Sequence, residues 1–453
     1  MLLSPVVVVH PANALTQPKA SSAASNGLVA EFLTELTVRV SRDRVAPTKA
    51  SRLYANVAYA MFLASSPSDD VLFKNLGNVP KPPSRAESID PVVAALAAGT
   101  SVARSIFLVA AARTTFGEFR DRILRMAAVN LSAVDEYESI SYGISIADAA
   151  VARTKIDGFE ESKKVMAPDV KGPGIWVPTQ PGYQPAIDPG WGAMMLFFVG
   201  TKKCSLPSPP KSGDAQSPFQ GAAEEVATVA KSLSEEQKSI ARFWDDSRGR
   251  TGTPAGHWLE IALAAGLEKN VDAVTLIRVV AHMSMAVADA FIVNFGEKYK
   301  YMVERPITVL QRSDTQWSSY LPTPAFPEYP SGHSTISKTA ADVLTSYFGE
   351  WKFTDPGYGL TQESRSKFEV TPRTFTSFTE AAKEASISRL YGGIHFTFGL
   401  TSGVTLGACV ASKTNFSKIT HSLLGNVFFP LRASQAFGAG FDGCTNGALG
   451  DHE

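Results

Sequence analysis

The chain reads as an all-α protein. Two observations predict this. Apolar residues recur at helical spacing along most of its length, as in Ile336, Ala340, Val343, Leu344 and Tyr347. Segments that alternate apolar and polar residues, as half-buried strands do, do not recur between them. With 453 residues, 44% of them apolar, the chain can fill a large core in one double-sized domain or two domains. Lys plus Arg and Asp plus Glu both number 43, so the bulk charge gives no reason to expect nucleic acid or an acidic surface as a partner.

The elements follow in order. Residues 1–27 read as a flexible leader. Met1–Val9 is apolar and Ala12-Asn13-Ala14 resembles a small-residue cleavage site, but no basic residue precedes it and Pro5 interrupts the run. A signal segment and a plain leader both stay open, and the compartment with them. Residues 28–217 form an N-terminal helical half. Leu28–Ala64 is helical with a break at Pro47, and Asp90–Ala112, Phe116–Ser139 and Ala147–Lys164 continue in that mode. Met166–Pro218 is Pro/Gly-rich and carries Trp176, Tyr183 and Trp191. It reads as a long loop packed by its aromatics, or as the join between two helical halves. Ser205–Ser217 looks its most mobile part.

Residues 218–431 form a C-terminal helical bundle. Ser234-Glu235-Glu236-Gln237 spells a capping box, and His257-Trp258 opens a helix to about Ala265. His257 reads as structural, because no partner spacing makes it a ligand. Val271–Phe295 is a strongly apolar helix. Leu310–Pro327 and Phe353–Phe378 are loops, Thr379–Tyr391 is a helix, and His395–Ser412 is the final core helix. A Gly-rich tail, 432–453, follows. No stretch offers 18 uninterrupted apolar residues, so no membrane span is expected. Cys204, Cys409 and Cys444 stand in no metal spacing, and their odd, small count makes no disulfide framework, which leaves the redox compartment open.

Three short motifs carry chemistry. Phe326–Ser334 contains Pro330-Ser331-Gly332-His333, and the helical pattern starts right after it. Ser331 to His333 should therefore sit at a helix N-terminus, where free N–H groups and the dipole favour an anion. Gly332 admits close approach, Ser331 offers a hydroxyl, and His333 can move protons near neutral pH. The ordinary reading of the same residues is a Ser cap and a buried His. Upstream, Lys298 and Arg305 are seven residues apart. On one helix they would share a face and converge on an anion, with Pro306 ending that helix. Downstream, Ser388-Arg389 and His395 flank Gly392-Gly393, a helix break that lets both side chains face one site.

The set Lys298…Arg305-Pro306, Pro330-Ser331-Gly332-His333 and Ser388-Arg389…His395 resembles the signature shared by vanadium-dependent haloperoxidases and the type 2 phosphatidic acid phosphatase superfamily. Looser likenesses to the soluble haloperoxidase-like branch lie in Phe243-Trp244-Asp245, Gly256–Glu260, Pro173–Trp176, Trp191-Gly192 and Ala288-Asp289-Ala290. The resemblance implies helical bundles packed side by side, with one vanadate or phosphate site at the end of the C-terminal bundle. Lys298, Arg305, Arg389, Ser331 and Gly332 would hold the anion. His395 would be the axial vanadium ligand, or the nucleophile that becomes phospho-histidine in a soluble acid phosphatase. His333 would be the acid/base, helping to deprotonate hydrogen peroxide or protonating a leaving oxygen. Lys298 joins the two histidines as a catalytic residue.

The favoured reading is a haloperoxidase that uses hydrogen peroxide and a halide on a small organic acceptor, with a homodimer as the assembly to test. Phe326 and Phe295 would line the halide pocket. An aromatic at 326 is like the chloroperoxidase-type members, whereas algal bromoperoxidases tend to carry His there. One departure stands out. Superfamily members commonly have an acidic residue four after the third-motif His, where it orients the imidazole, and here that position is Gly399. The lack weakens the nucleophile role more than the ligand role, unless another group supplies the orientation.

Overall fold

The computed structural model describes residues 22–414, apart from 67–69, 71, 73–75, 78–83, 107–111, 214–216, 358–365 and 367–369. Residues 1–21 and 415–453, with most of the leader, the signal question, Cys444 and the Gly-rich tail, lie outside the described residues, whereas the leader's last residues, 22–27, are not flexible chain but part of the first helix. The first helices are α1 (Ser22–Arg42), α2 (Pro47–Ser65), α3 (Pro91–Ile106), α4 (Ala112–Ala127), α5 (Ala133–Thr154) and the single turn α6 (Phe159–Ser162). Pro47 is the first residue of α2, where its missing N–H costs nothing. The expected helix Phe116–Ser139 is instead two, because Ser132 caps a new one by accepting from the Asp135 N–H at 3.1 Å.

After the long loop come α7 (Pro218–Lys231), α8 (Glu235–Phe243), α9 (Thr253–Glu268), α10 (Ala273–Tyr301), α11 (Pro306–Leu310), α12 (Gly332–Phe348), α13 (Phe378–Tyr391) and α14 (Thr397–Thr414). The capping box at Ser234 forms as read, with Ser234 and Gln237 exchanging bonds of 3.2 and 2.9 Å. The segment read as a plain loop, Phe353–Phe378, holds one short antiparallel pair among its described residues. Its strands are β1 (Phe353–Asp355) and β2 (Arg373–Phe375), with Phe353 opposite Phe375. Phe353, Phe375, Trp351 and Phe378 stack there, with centroids 4.9–5.6 Å apart for the Phe353 pairs.

Helix α10 is the axle. On one side it packs against α2, α1 and α9, and on the other against α12 and α14. Among the described residues it alone is long and apolar enough to cross a membrane, but 94% of that window is buried inside the protein. Its polar residues also face inward: Asp289 accepts from the N–H groups of Phe197 and Phe198 at 2.8 Å each. Gly192 lies so close to Gly296 that a Cβ would stand 2.5 Å from its Cα. In this way the long loop is fastened along α10.

That loop behaves as an ordered wrapping. Trp176 and Trp191 are buried, while Tyr183 is exposed. The stretch read as mobile is tied down in its described part. The Leu206 carbonyl accepts from Tyr301 at 2.8 Å, the Pro207 carbonyl accepts from Tyr329 at 3.0 Å, and Ser212 donates to Glu304 at 2.8 Å. Cys204 and Cys409 form a disulfide, Cα to Cα 5.8 Å, a single bridge that the odd, small cysteine count did not announce. The two lie 205 residues apart, and only the docking of the loop on α14 brings them together.

Candidate functional site

Ser331 is the N-cap of α12, with extended backbone (φ −62°, ψ 125°), and its Oγ accepts from the Ser334 N–H at 3.4 Å. The ordinary capping reading and the anion-site reading thus describe the same geometry. The cap takes up the Ser334 N–H, and the other N–H groups of the first turn have no intrahelical acceptor. A Cβ built on Gly332 would meet nothing closer than Asn294 Oδ1 at 3.9 Å, so there is room for a ligand over this turn. Ser331 donates its N–H to the Gly399 carbonyl at 2.9 Å, which docks the turn on α14. Asn294 braces it from α10 by donating to Thr335 Oγ1 at 2.9 Å.

Lys298 and Arg305 do not share a helix face. Met302 adopts a left-handed conformation (φ 50°) that caps α10, and Arg305 is the residue before α11. Pro306 therefore starts a helix rather than ending one. The two cations still converge, from opposite ends of this corner, on the Phe326 ring: Lys298 Nζ lies 5.1 Å and the Arg305 guanidinium carbon 5.0 Å from its centroid. Phe295 packs on Phe326 at 5.3 Å. Both cations are fully buried. Burial and the nearby Arg305 press the Lys298 pKa well below its usual value. Yet Lys298 donates to the carbonyls of Pro327, Glu328 and Pro330 at 2.9, 2.9 and 2.6 Å, and three acceptors require the ammonium form. Its hydrogens thus hold the motif loop in shape, a task the sequence did not show.

Arg305 donates to the carbonyls of Phe326 (Nε, 2.9 Å) and Ile394 (Nη1, 2.7 Å), while its buried Nη2 has no partner. Burial lowers its pKa to about 10, so it stays charged at neutral pH. Arg389, also buried, donates to the Trp244 carbonyl at 2.6 Å and to Ser388 Oγ at 3.0 Å. Gly393, at φ 71°, turns the chain between Arg389 and His395.

His395 is held from both sides. Its Nδ1 lies 2.7 Å from Glu328 Oε1, and its Nε2 lies 3.2 Å from Arg305 Nη1. The carboxylate fixes the proton on Nδ1, so Nε2 presents a lone pair toward the cations. Burial first, then Arg305, Lys298 and Arg389, push the His395 pKa well down and keep the ring neutral. Glu328 is itself pushed up to about 7 by burial, against the pull of Lys298 and Arg305. His333 stands at the more open end, with Nε2 3.5 Å from Asp246 Oδ2. Burial and Arg389 lower its pKa, partly offset by Asp246.

Behind His333 runs a buried chain. Asp246 Oδ1 faces His257 Nδ1 at 3.0 Å, and His257 Nε2 faces Asp355 Oδ2 at 2.8 Å. Burial opposes charge on His257, but the two carboxylates raise its pKa to about 10. The sequence reading of His257 as structural agrees with this placement; its partners come from a loop and a strand too distant in sequence to be read as a spacing. Asp246, Glu328 and Asn294 are the neighbours of the candidate residues that sequence reasoning missed. Glu328 lay inside the motif stretch, and the vacant acid position at Gly399 was the signal that could have found it.

The arrangement suits a tetrahedral oxyanion such as vanadate or phosphate. Three buried cations, a helix N-terminus, the unpartnered Arg305 Nη2 and a neutral imidazole nitrogen supply charge, donors and one coordinating lone pair. No cluster of His, Cys, Asp and Glu able to hold a metal cation occurs among the described residues, and a vanadium held as an oxyanion needs none.

Residues 278–421 match the family described as VCPO second helical-bundle domain. No curated protein matches the chain. A solved structure described as the first bacterial vanadium-dependent iodoperoxidase is 30% identical, with TM-score 0.75, over 86% of this chain and 95% of that one. A holo-type bacterial vanadium-dependent chloroperoxidase shares 16% identity, with TM-score 0.62, over 84% of this chain and 93% of the other, a likeness of fold. The helical frame therefore has its counterpart in these structures, and the chain belongs to the vanadium-dependent haloperoxidase superfamily.

Proposed function

We propose that the chain binds one vanadate and uses hydrogen peroxide to oxidise iodide and bromide, with chloride the hardest substrate, to a hypohalous-acid equivalent that halogenates small organic acceptors. The observation that carries this is His395 Nε2, neutral and aimed at the cations by Glu328. That nitrogen would be the residue donor to vanadium. Arg305 Nη2, Arg389, Ser331 and the Gly332 N–H would hold the oxygens. Lys298 adds charge from beneath, and would touch an oxygen directly only by exchanging one of its three carbonyls. Vanadate held there would supply an electron-withdrawing centre that activates peroxide toward halide without a change in its own oxidation state. His333, reachable and paired with Asp246, takes the proton that peroxide gives up and can return it. The balance is one halide, one peroxide and one proton to hypohalous acid and water. Iodide comes first because it is the easiest halide to oxidise, in line with the 30% identical iodoperoxidase.

The alternative is phosphomonoester hydrolysis through phospho-histidine at His395. Glu328 favours it to this extent: it supplies the orienting acid that Gly399 lacks. One paired assay decides. Protein given orthovanadate, peroxide and iodide or bromide should brominate or iodinate a dye, and phosphate added beforehand in large excess should suppress this. Protein without vanadate should hydrolyse p-nitrophenyl phosphate slowly or not at all. Rapid phosphate hydrolysis with no halogenation would reverse the assignment, and indifference to phosphate would refute a shared site.

A further inference from the structure

Helix α14 begins two residues after His395, and the acid that would orient the imidazole from its first turn is replaced by Gly399. The space is not empty. A Cβ built on Gly399 would collide with Glu328 Oε1 and stand only 2.8 Å from both Oε2 and Cδ. A fully buried carboxylate thus occupies the volume that any side chain at 399 would need. Glu328 is placed by its backbone: its N–H donates to the Val303 carbonyl at 2.8 Å, and its own carbonyl accepts from Lys298 at 2.9 Å. Its Oε1 faces His395 Nδ1 at 2.7 Å and accepts from the Phe396 N–H at 3.1 Å.

We infer that Glu328 is the positioning residue of His395, and that Glu328 and Gly399 form a matched pair in which the acid has moved from α14 to the motif loop. Glu328 acts through His395 and does not meet the substrate. It holds the proton on Nδ1 and the lone pair on Nε2. A glycine at 399 is the condition for its being there, because a second side chain and the Glu328 carboxylate cannot share that volume. The inference rests on the reading of His395 as the vanadium ligand.

The test is a swap with two readouts. The four proteins are wild type, Glu328→Ala, Gly399→Asp and the double variant Glu328→Ala/Gly399→Asp. The first readout is vanadium retained after dialysis. The second is the ¹⁵N spectrum of the His395 imidazole in the vanadate-free protein. Loss of an orienting partner typically costs about 10- to 100-fold in metal affinity. Both single variants should lose vanadate on that scale, the first by freeing the ring and the second by overfilling the space. The double variant should bind at least about tenfold better than Glu328→Ala, within that same range of effect. Wild type should show Nδ1 protonated, Glu328→Ala a mixture of tautomers, and the double variant the wild-type form again. Glu328→Gln, which keeps the shape, controls for folding and should hold the tautomer while weakening vanadate binding several-fold. Should Glu328→Ala keep both the wild-type tautomer and its vanadium, or the carboxylate introduced by Gly399→Asp bring no recovery in either readout, the pairing is refuted. A wild-type protein that binds no vanadate refutes the function instead, and the ¹⁵N spectra still decide the role of Glu328.

Discussion

The two site histidines differ in what holds them, and removing each should leave a different protein. His395 is clamped between Glu328 and Arg305 with its lone pair facing the cations, whereas His333 stands at the open end against Asp246. His395→Ala should sharply reduce vanadium retention, since it removes the one nitrogen aimed at the anion. His333→Ala should retain vanadium but turn over about 10²- to 10⁴-fold more slowly, the usual range for a lost proton transfer. Elemental analysis after dialysis separates them; equal loss of vanadium would overturn both roles. Phe326 carries a second residue-level prediction. Its ring lies within about 5 Å of both Lys298 and Arg305 and packs on Phe295, so it helps keep water from both cations. Low dielectric strengthens their pull on bound peroxide. Phe326→His should therefore lower any chloride activity more than bromide activity. The measurement is kcat/KM for each halide at one pH, and an unchanged ratio would make Phe326 packing alone. At this scale the candidate residues that the structure brings together were legible in the sequence, because each sits in a short motif. Asp246 and Glu328 were not, because their partners His333 and His395 lie 87 and 67 residues away along the chain.

Elements position these side chains through contacts that depend on very small residues. Helix α14 approaches the start of α12 along Gly399, Gly403 and Gly407. A Cβ on Gly403 would lie 2.6 Å from the Ser331 carbonyl oxygen, and one on Gly407 would come closer still to that of Thr335. The spacing of four places all three on one face of α14. Gly407→Leu should push the helices apart, costing about 1–3 kcal/mol of overpacking, and loosen vanadate binding because Ser331 to His333 ride on α12. Thermal melting and vanadium retention measure this together, and a variant unchanged in both would show the contact to be slack. A second coupling joins the β1–β2 pair to α9 through His257. Its folded pKa of about 10 is raised above the ordinary 6.5 of a histidine. The protonated ring therefore stabilises the fold fully below about pH 6.5, and that contribution is lost as pH rises through about 10. In melting experiments from pH 6 to 10, His257→Gln should start lower than wild type and fall less steeply. Parallel curves would mean that the ring carries no charge there. Helix positions were largely legible from apolar periodicity, but ends were not. The α10 end at Met302 and the start of α11 at Pro306 follow from a left-handed cap on an ordinary residue, which no spacing rule announces.

At the scale of the molecule, the question is what keeps the long loop on the back of the site. Its residues hydrogen-bond to Tyr301, Glu304 and Tyr329, all within or beside the stretch from Lys298 to His333. Helices α1 and α2 also pack on α10, so it is held by the N-terminal helices as well as by the loop. That arrangement belongs to tertiary docking. Helical periodicity gave the fold class and the motifs gave the candidate site residues, while the wrapping and its disulfide stayed hidden. The Cys204–Cys409 bond closes a loop of 205 residues and pins the segment after Trp191 to α14. Long closures stabilise mainly by restricting the unfolded chain, typically by about 2–5 kcal/mol. Cys204→Ser/Cys409→Ser, or reduction, should lower the melting temperature by several degrees. It should leave vanadate affinity little changed at 25 °C, because Tyr301, Tyr329 and Glu304 keep their bonds to the loop. Raising the temperature should bring earlier loss of vanadium than in wild type, since the loop frays from the pinned end. Melting curves with and without reductant, read by near-ultraviolet circular dichroism and by retained vanadium, distinguish the cases. Immediate loss of vanadium at 25 °C on reduction would place the disulfide in control of the site itself.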